Sequence, residues 1–119
     1  MAGHNFKNLK IWKEEMNLVT ETYDLTRTFP KSEKYSLASQ MIRPATSFPS
    51  NIAEGSNKST HKHFRNYLEN SRGSASQWDT QFNVVFLRNY VSEEKFISQE
   101  NKVQQIEKMI SGYRNGLHD

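Results

Sequence analysis

An all-α fold, an antiparallel up-down-up-down four-helix bundle whose second helix is bent by prolines, is what this sequence predicts. Apolar residues recur at steps of three and four in four separate stretches, the spacing that keeps one stripe of a helix facing a partner. Only 5 glycines and 3 prolines are present, too few for a many-turned β protein. The breaks at about 29–33, 55–59 and 90–92 are short, as antiparallel neighbours require. A length of 119 residues fits one domain spanning 1–119, large enough for a single core. A hydrophobic content of 34% and a mean hydropathy of −0.87 are low, yet Phe 7, Tyr 5 and Trp 2 set the chain apart from disordered sequences. Narrow apolar seams between wide solvated faces reconcile the two.

The first helix is expected at about 8–28, with Leu9, Trp12, Met16, Val19, Tyr23 and Thr26 as its seam. Phe29-Pro30 ends it, because the residue before proline is pushed out of helical geometry. The second, about 33–54, carries Leu37, Met41, Ala45, Phe48 and Ile52 at helical spacing despite Pro44 and Pro49. Each proline removes a donor and crowds the carbonyl four residues back, so one kinked helix is expected, with Ser47, Ser50 and Asn51 placed to take up freed carbonyls. Gly55 suits a left-handed position after that helix, and Ser59 or Thr60 suits the cap of the next.

The third helix, about 59–90, is the longest, with Phe64, Leu68, Ser71, Ala75, Trp78, Phe82 and Val85 in unbroken alternation of four and three. Gly73 interrupts it at a cost of about 1 kcal/mol relative to alanine, which close approach of another backbone would offset. Ser92 followed by Glu93 and Glu94 reads as a cap with acids at the positive end of a helix dipole. The fourth helix, about 92–116, then shows Phe96, Val103, Ile106, Ile110, Tyr113 and Leu117, with Gln99 as its one polar seam position.

Chemistry is sparse. Without cysteine there is no disulfide scaffold, thiol nucleophile or cysteine-bound zinc. The N-terminal stretch has no apolar run suited to a signal peptide, and no run suits a membrane span, so a soluble cytoplasmic protein is expected. His61 and His63, two apart on a helix, point about 200° away from each other, a poor metal pair. No phosphate loop, nucleophile elbow or H-E-x-x-H stands in the chain, so neither an enzyme nor a cofactor is expected. The net charge of +3 is uneven: segment 58–72 holds Lys58, Lys62, Arg65 and Arg72 against Glu69 alone. A solvated helix face explains this blandly, and an anionic partner such as nucleic acid explains it more sharply. Around the end of the third helix, Val84, Val85, Phe86 and Leu87 are apolar on all sides, and Ile97 and Met109 lie off the fourth seam. Phe86 and Leu87 are therefore candidates for contact between subunits.

The order of several motifs also carries a resemblance. Phe6, Leu9 and Trp12 form F-x-x-L-x-x-W; Tyr23, Thr26, Phe29 and Pro30 close the first helix. Tyr35, Leu37, Gln40, Arg43, Ala45, Ser47, Pro49 and Asn51-Ile52-Ala53-Glu54-Gly55 follow, and then Arg72-Gly73-Ser74 with Thr80-Gln81. Over about 6–115 the chain resembles the small four-helix-bundle proteins encoded within intervening sequences of bacterial 23S ribosomal RNA genes. It departs from them at Pro44, where Arg or Ala is usual, and at Gln77, which replaces a common Glu. The resemblance implies a left-handed bundle, assembly as a homopentamer, and a distant similarity to the accessory variability protein of diversity-generating retroelements. That protein is a pentamer that engages a reverse transcriptase and nucleic acid. Arg43, Asn51, Glu54, Arg72 and Gln77, with Pro49, Gly55, Gly73 and Ser74, become candidates for a network within or between protomers, or for a ligand site. Two functions follow as expectations: a ring-forming RNA-associated protein, or a protein-interaction scaffold or accessory subunit for a nucleic-acid enzyme such as a reverse transcriptase.

Overall fold

The computed structural model describes residues 5–117. Four helices, α1 (Lys10–Thr26), α2 (Leu37–Ser56), α3 (His61–Leu87) and α4 (Glu93–Asn115), pack into a rod of 47 × 24 × 20 Å. Single 3-10 turns at Phe6–Asn8 and Lys31–Glu33 complete the elements. Cross-helix hydrogen bonds fix the topology. Ser71 meets Glu15 and Trp78 meets Thr22, seven residues on in both helices, so α1 and α3 run parallel. Ser47 reaches Ser74 and the Phe48 carbonyl reaches Ser71, so α2 runs against α3. Arg65 donates to the Leu117 carbonyl, which puts the end of α4 beside the start of α3.

Every seam position expected of α2 and α3 is buried, from Leu37 to Ile52 and from Phe64 to Val85; Trp78 and Ile110 lie at the centre of the core. Thr60 caps α3 by accepting from the His63 amide at 3.2 Å, and Ser92 caps α4 by accepting from the Lys95 amide at 3.1 Å. Between them Asn89 takes φ 62°, and the amides of Asn89 and Tyr90 donate back to the carbonyls of Phe86 and Val85. This left-handed cap ends α3 and turns the chain into α4.

Expectations are corrected on α1 and at two glycines. The inner stripe of α1 is Ile11, Glu15, Leu18, Thr22 and Leu25, while Met16 and Tyr23 are exposed and Trp12, Val19 and Thr26 half-buried. Two stripes one residue apart compete on this helix, and the one that holds Trp12 and Val19 lies at the edge of the core rather than inside it. Gly55 lies inside α2, with no left-handed turn; a Cβ there would stand 2.6 Å from Tyr67 Cβ and 2.9 Å from Phe64 Cδ1. Its role is close approach of α3. Gly73, by contrast, is exposed, and a Cβ on it would meet nothing within 4 Å. The small residues that let α2 and α3 approach are Ser71, Ser74 and Ala75, all buried.

The helix α2 begins at Leu37, later than expected, because Lys31–Glu33 form a separate turn held by Ser36 Oγ donating to Glu33 Oε1 at 2.8 Å. It continues through Pro44 and Pro49. Thr46 donates to the carbonyls of Ile42 and Arg43, Ser50 to that of Thr46, and Asn51 to that of Ser47. These bonds reach the carbonyls of Ile42, Arg43, Thr46 and Ser47 rather than those of Gln40 and Ala45, which the prolines free. Ser47 Oγ bonds Ser74 instead, so the expected repair by Ser47, Ser50 and Asn51 is corrected. Among the described residues no helix is long and apolar enough to cross a membrane.

Candidate functional site

Polar residues enter the bundle interior at two levels. At the lower one Glu15, fully buried, accepts from Ser71 Oγ at 2.9 Å through Oε2, while its Oε1 meets no protein partner. Burial pushes this carboxyl up to about 8, against a smaller lowering by Ser71, so it is protonated at neutral pH. One level on, Trp78 Nε1 donates to Thr22 Oγ1 at 3.0 Å, and Thr22 donates to the Leu18 carbonyl at 2.6 Å. A third group joins α2 to α3. Asn51 Nδ2 donates to Ser47 Oγ at 3.1 Å, Ser47 and Ser74 share a bond of 2.8 Å, and Ser74 donates to the Asn70 carbonyl at 3.3 Å. Donors and acceptors alternate along this chain, so none of its hydroxyls is left over.

The motif residues divide sharply. Asn51 and Ser74 belong to the α2–α3 network, and Gly55 is buried against Phe64 and Tyr67 of α3. Pro49 is buried on the face of α2 turned to Trp12, Met16 and Val19 of α1, and Arg43, Glu54, Gly73 and Gln77 are exposed. Arg72 is exposed as well and pairs with Glu69 at 3.2 Å. Glu15 and Thr22 escaped the sequence reading although a signal exists. They are spaced seven apart, as are Ser71 and Trp78, the register two parallel helices need to bond at successive levels.

The basic segment becomes a stripe. Lys62, Arg65, Glu69 and Arg72 follow one another at steps of three and four on α3, beside α4, whose Arg114 Nε lies 2.7 Å from Glu69 Oε1. Lys58 stands just before the helix with its Nζ 5.2 Å from the Tyr67 ring centroid. Arg65 Nη1 is held at 3.0 Å by the Leu117 carbonyl. Further along α4 the charge is acidic. Glu100 is pushed up to about 8, first by burial and then by Asp79 and Glu107 beside it. Among the described residues no three of His, Cys, Asp and Glu are grouped to hold a metal ion. His63 instead serves the helix cap, its Nδ1 2.9 Å from Thr60 Oγ1.

Two apolar features face solvent. Leu87 is 77% exposed and Ile97 51%, with Val84 nearby on α3. Phe86 is half-buried and stacks on Phe96 at 4.3 Å, so much of its ring is used within the protomer. On the opposite flank, a groove of about 710 Å³ lies between the end of α1, the 31–33 turn and the first turns of α2, lined in part by Tyr23, Phe29, Tyr35 and Ile42.

No match is found among curated proteins. Among solved structures, the fold is shared with a protein of unknown function from the S23 ribosomal protein family of Bacteroides thetaiotaomicron. The two superpose with a TM-score of 0.80 over 87% of this chain and 97% of that one, at 17% identity. The model of the 23S rRNA-intervening sequence proteins matches residues 7–112, nearly the whole bundle, and the chain therefore belongs to the 23S rRNA-intervening sequence protein family.

Proposed function

We propose that this is a non-enzymatic cytoplasmic protein that assembles into a ring and associates with structured RNA through the basic start of α3. The observation that carries the reading is the stripe of Lys62, Arg65 and Arg72, extended by Lys58 before the helix and by Arg114 across from it, with Glu69 among them and Glu107 beside Arg72. Copied around a ring, such a stripe becomes a belt in which weak phosphate contacts add through effective concentration. Membership in a family named for an intervening sequence of ribosomal RNA supports RNA as the anion. The exposed Leu87, Ile97 and Val84 supply apolar surface for the neighbouring copy, with Phe86 completing its edge. By resemblance the ring is a homopentamer, and light scattering with sedimentation measures it.

The test is a salt titration of binding to a structured RNA. Affinity should fall linearly on a log–log plot, by about 0.9 log units per phosphate contact for each tenfold rise in salt. Charge reversal at Lys58, Lys62 and Arg72 should flatten that slope. Undetectable affinity at low salt, or indifference to the reversals, overturns the reading. A second reading, an accessory subunit for a nucleic-acid enzyme such as a reverse transcriptase, is favoured by the 77% exposure of Leu87. Pull-down from native lysate separates the two: nuclease treatment releases an RNA-bridged partner and leaves a directly bound one.

A further inference from the structure

The groove at the α1–α2 corner brings aromatic and cationic side chains together. Its lining is aromatic and apolar: Tyr35, 87% exposed, and Tyr23, 46% exposed, share it with Phe29 and Ile42. Its rim is cationic, with Arg27, Lys31, Lys34 and Arg43, and none of the residues lining it is acidic. Arg27 pairs at 3.4 Å with Asp24 at the surface, an exposed contact that another anion displaces at little cost. Among the described residues no carboxylate pairs with Lys31, Lys34 or Arg43. Lys34 Nζ lies 5.4 Å from the centroid of the Tyr35 ring, so cation and ring present themselves to the same ligand.

We propose that this groove binds a short stretch of single-stranded RNA, with bases stacked on Tyr35 and Tyr23 and phosphates held by Arg27, Lys31, Lys34 and Arg43. Exposed rings in an apolar lining offer stacking faces that every base can use, and cations along the rim track a phosphate backbone. A duplex, whose bases are already stacked, would use the cations and leave the rings idle. An acyl chain calls for enclosed aliphatic walls, whereas this groove is open and aromatic. The inference rests on the RNA association proposed above, but it assigns a different form of RNA to a different place. The groove lies at the end of the rod where α1 closes and α2 begins, while Lys58, Lys62 and Arg65 lie at the other end, by the α2–α3 turn.

Fluorescence anisotropy on the intact protein, with a labelled single-stranded oligouridine and a labelled RNA hairpin at low salt, tests it. Tyr35→Ala should weaken the single strand about tenfold or more, while Tyr35→Phe retains binding, and neither should move the hairpin. Tyr35 is too exposed for its truncation to unfold the chain, and Tyr23→Ala gives a second, independent reading. Lys34→Glu should weaken the single strand and reduce its salt dependence. If both alanine variants bind oligouridine within twofold of the parent, the groove is not a stacking site. If Tyr35→Ala instead lowers the sedimentation coefficient of the RNA-free protein, the groove belongs to a contact between copies, and the proposal also falls. In either case, hairpin binding that still responds to reversal at Lys62 and Arg72 leaves the α3 reading intact. If neither RNA binds, both readings fail together.

Discussion

Replacing Glu15 by Gln keeps the shape of a fully buried side chain and removes its ability to ionise. The folded carboxyl is pushed up to about 8 by burial, whereas its ordinary value is 4.5. The folded state therefore holds the proton more tightly than the unfolded one. Below pH 4.5 both states are protonated and Glu15 costs nothing. As pH rises from there toward 8 the unfolded chain gains from ionising and the folded chain cannot, so stability is lost across that window. At pH 7 the unfolded carboxyl is two and a half decades beyond its midpoint, which at about 1.4 kcal/mol per decade amounts to about 3 kcal/mol. Gln can accept from Ser71 through its amide oxygen and carries no such cost. The stability of the variant relative to the parent should therefore rise by about 3 kcal/mol between pH 4 and pH 7, on top of a pH-independent offset from the amide group set where Oε1 has no partner. Urea unfolding followed by circular dichroism, at fixed protein concentration between pH 4 and 8, measures the difference directly. The other carboxylates titrate alike in both proteins and cancel. A gap that stays constant across that range would mean Glu15 ionises in the fold at an ordinary pH, and the account of a sealed, protonated acid would be wrong.

The two glycines make a paired test. Gly55→Ala forces a methyl to within 2.6 Å of Tyr67 Cβ and should cost about 1–3 kcal/mol as α2 and α3 separate. Gly73→Ala meets open space on an exposed helix face and should gain about 0.5–1 kcal/mol, so the two should shift Tm in opposite directions. Asn89, held at φ 62°, should tolerate Gly and lose about 1 kcal/mol as Ala, again read from Tm; equal stability of the two variants would deny that the α3–α4 turn needs a left-handed residue.

What could be read from the chain, and what could not, separates along one physical line. Spacing alone places Met41, Phe48, Phe64, Trp78, Phe82 and Ile110 on shared faces, and each is buried. Local chemistry likewise marks Thr60 and Ser92 as caps, because a cap bonds an amide three residues away. The rotation of α1 about its own axis is different in kind. Its stripes Ile11–Leu25 and Trp12–Tyr23 have equal periodicity, and with Glu15 and Thr22 in the inner stripe the two are comparable in apolar character. Their partners, Ser71 and Trp78, are 56 residues away and supply the reason only once α3 lies alongside. The same rotation turns Met16 and Tyr23 outward and helps open the groove at Tyr35, a site that no local pattern announces. Periodicity determined which residues travel together on a helix and which way α2 and α3 turned; the hydrogen-bonding needs of residues distant in sequence decided which way α1 turned.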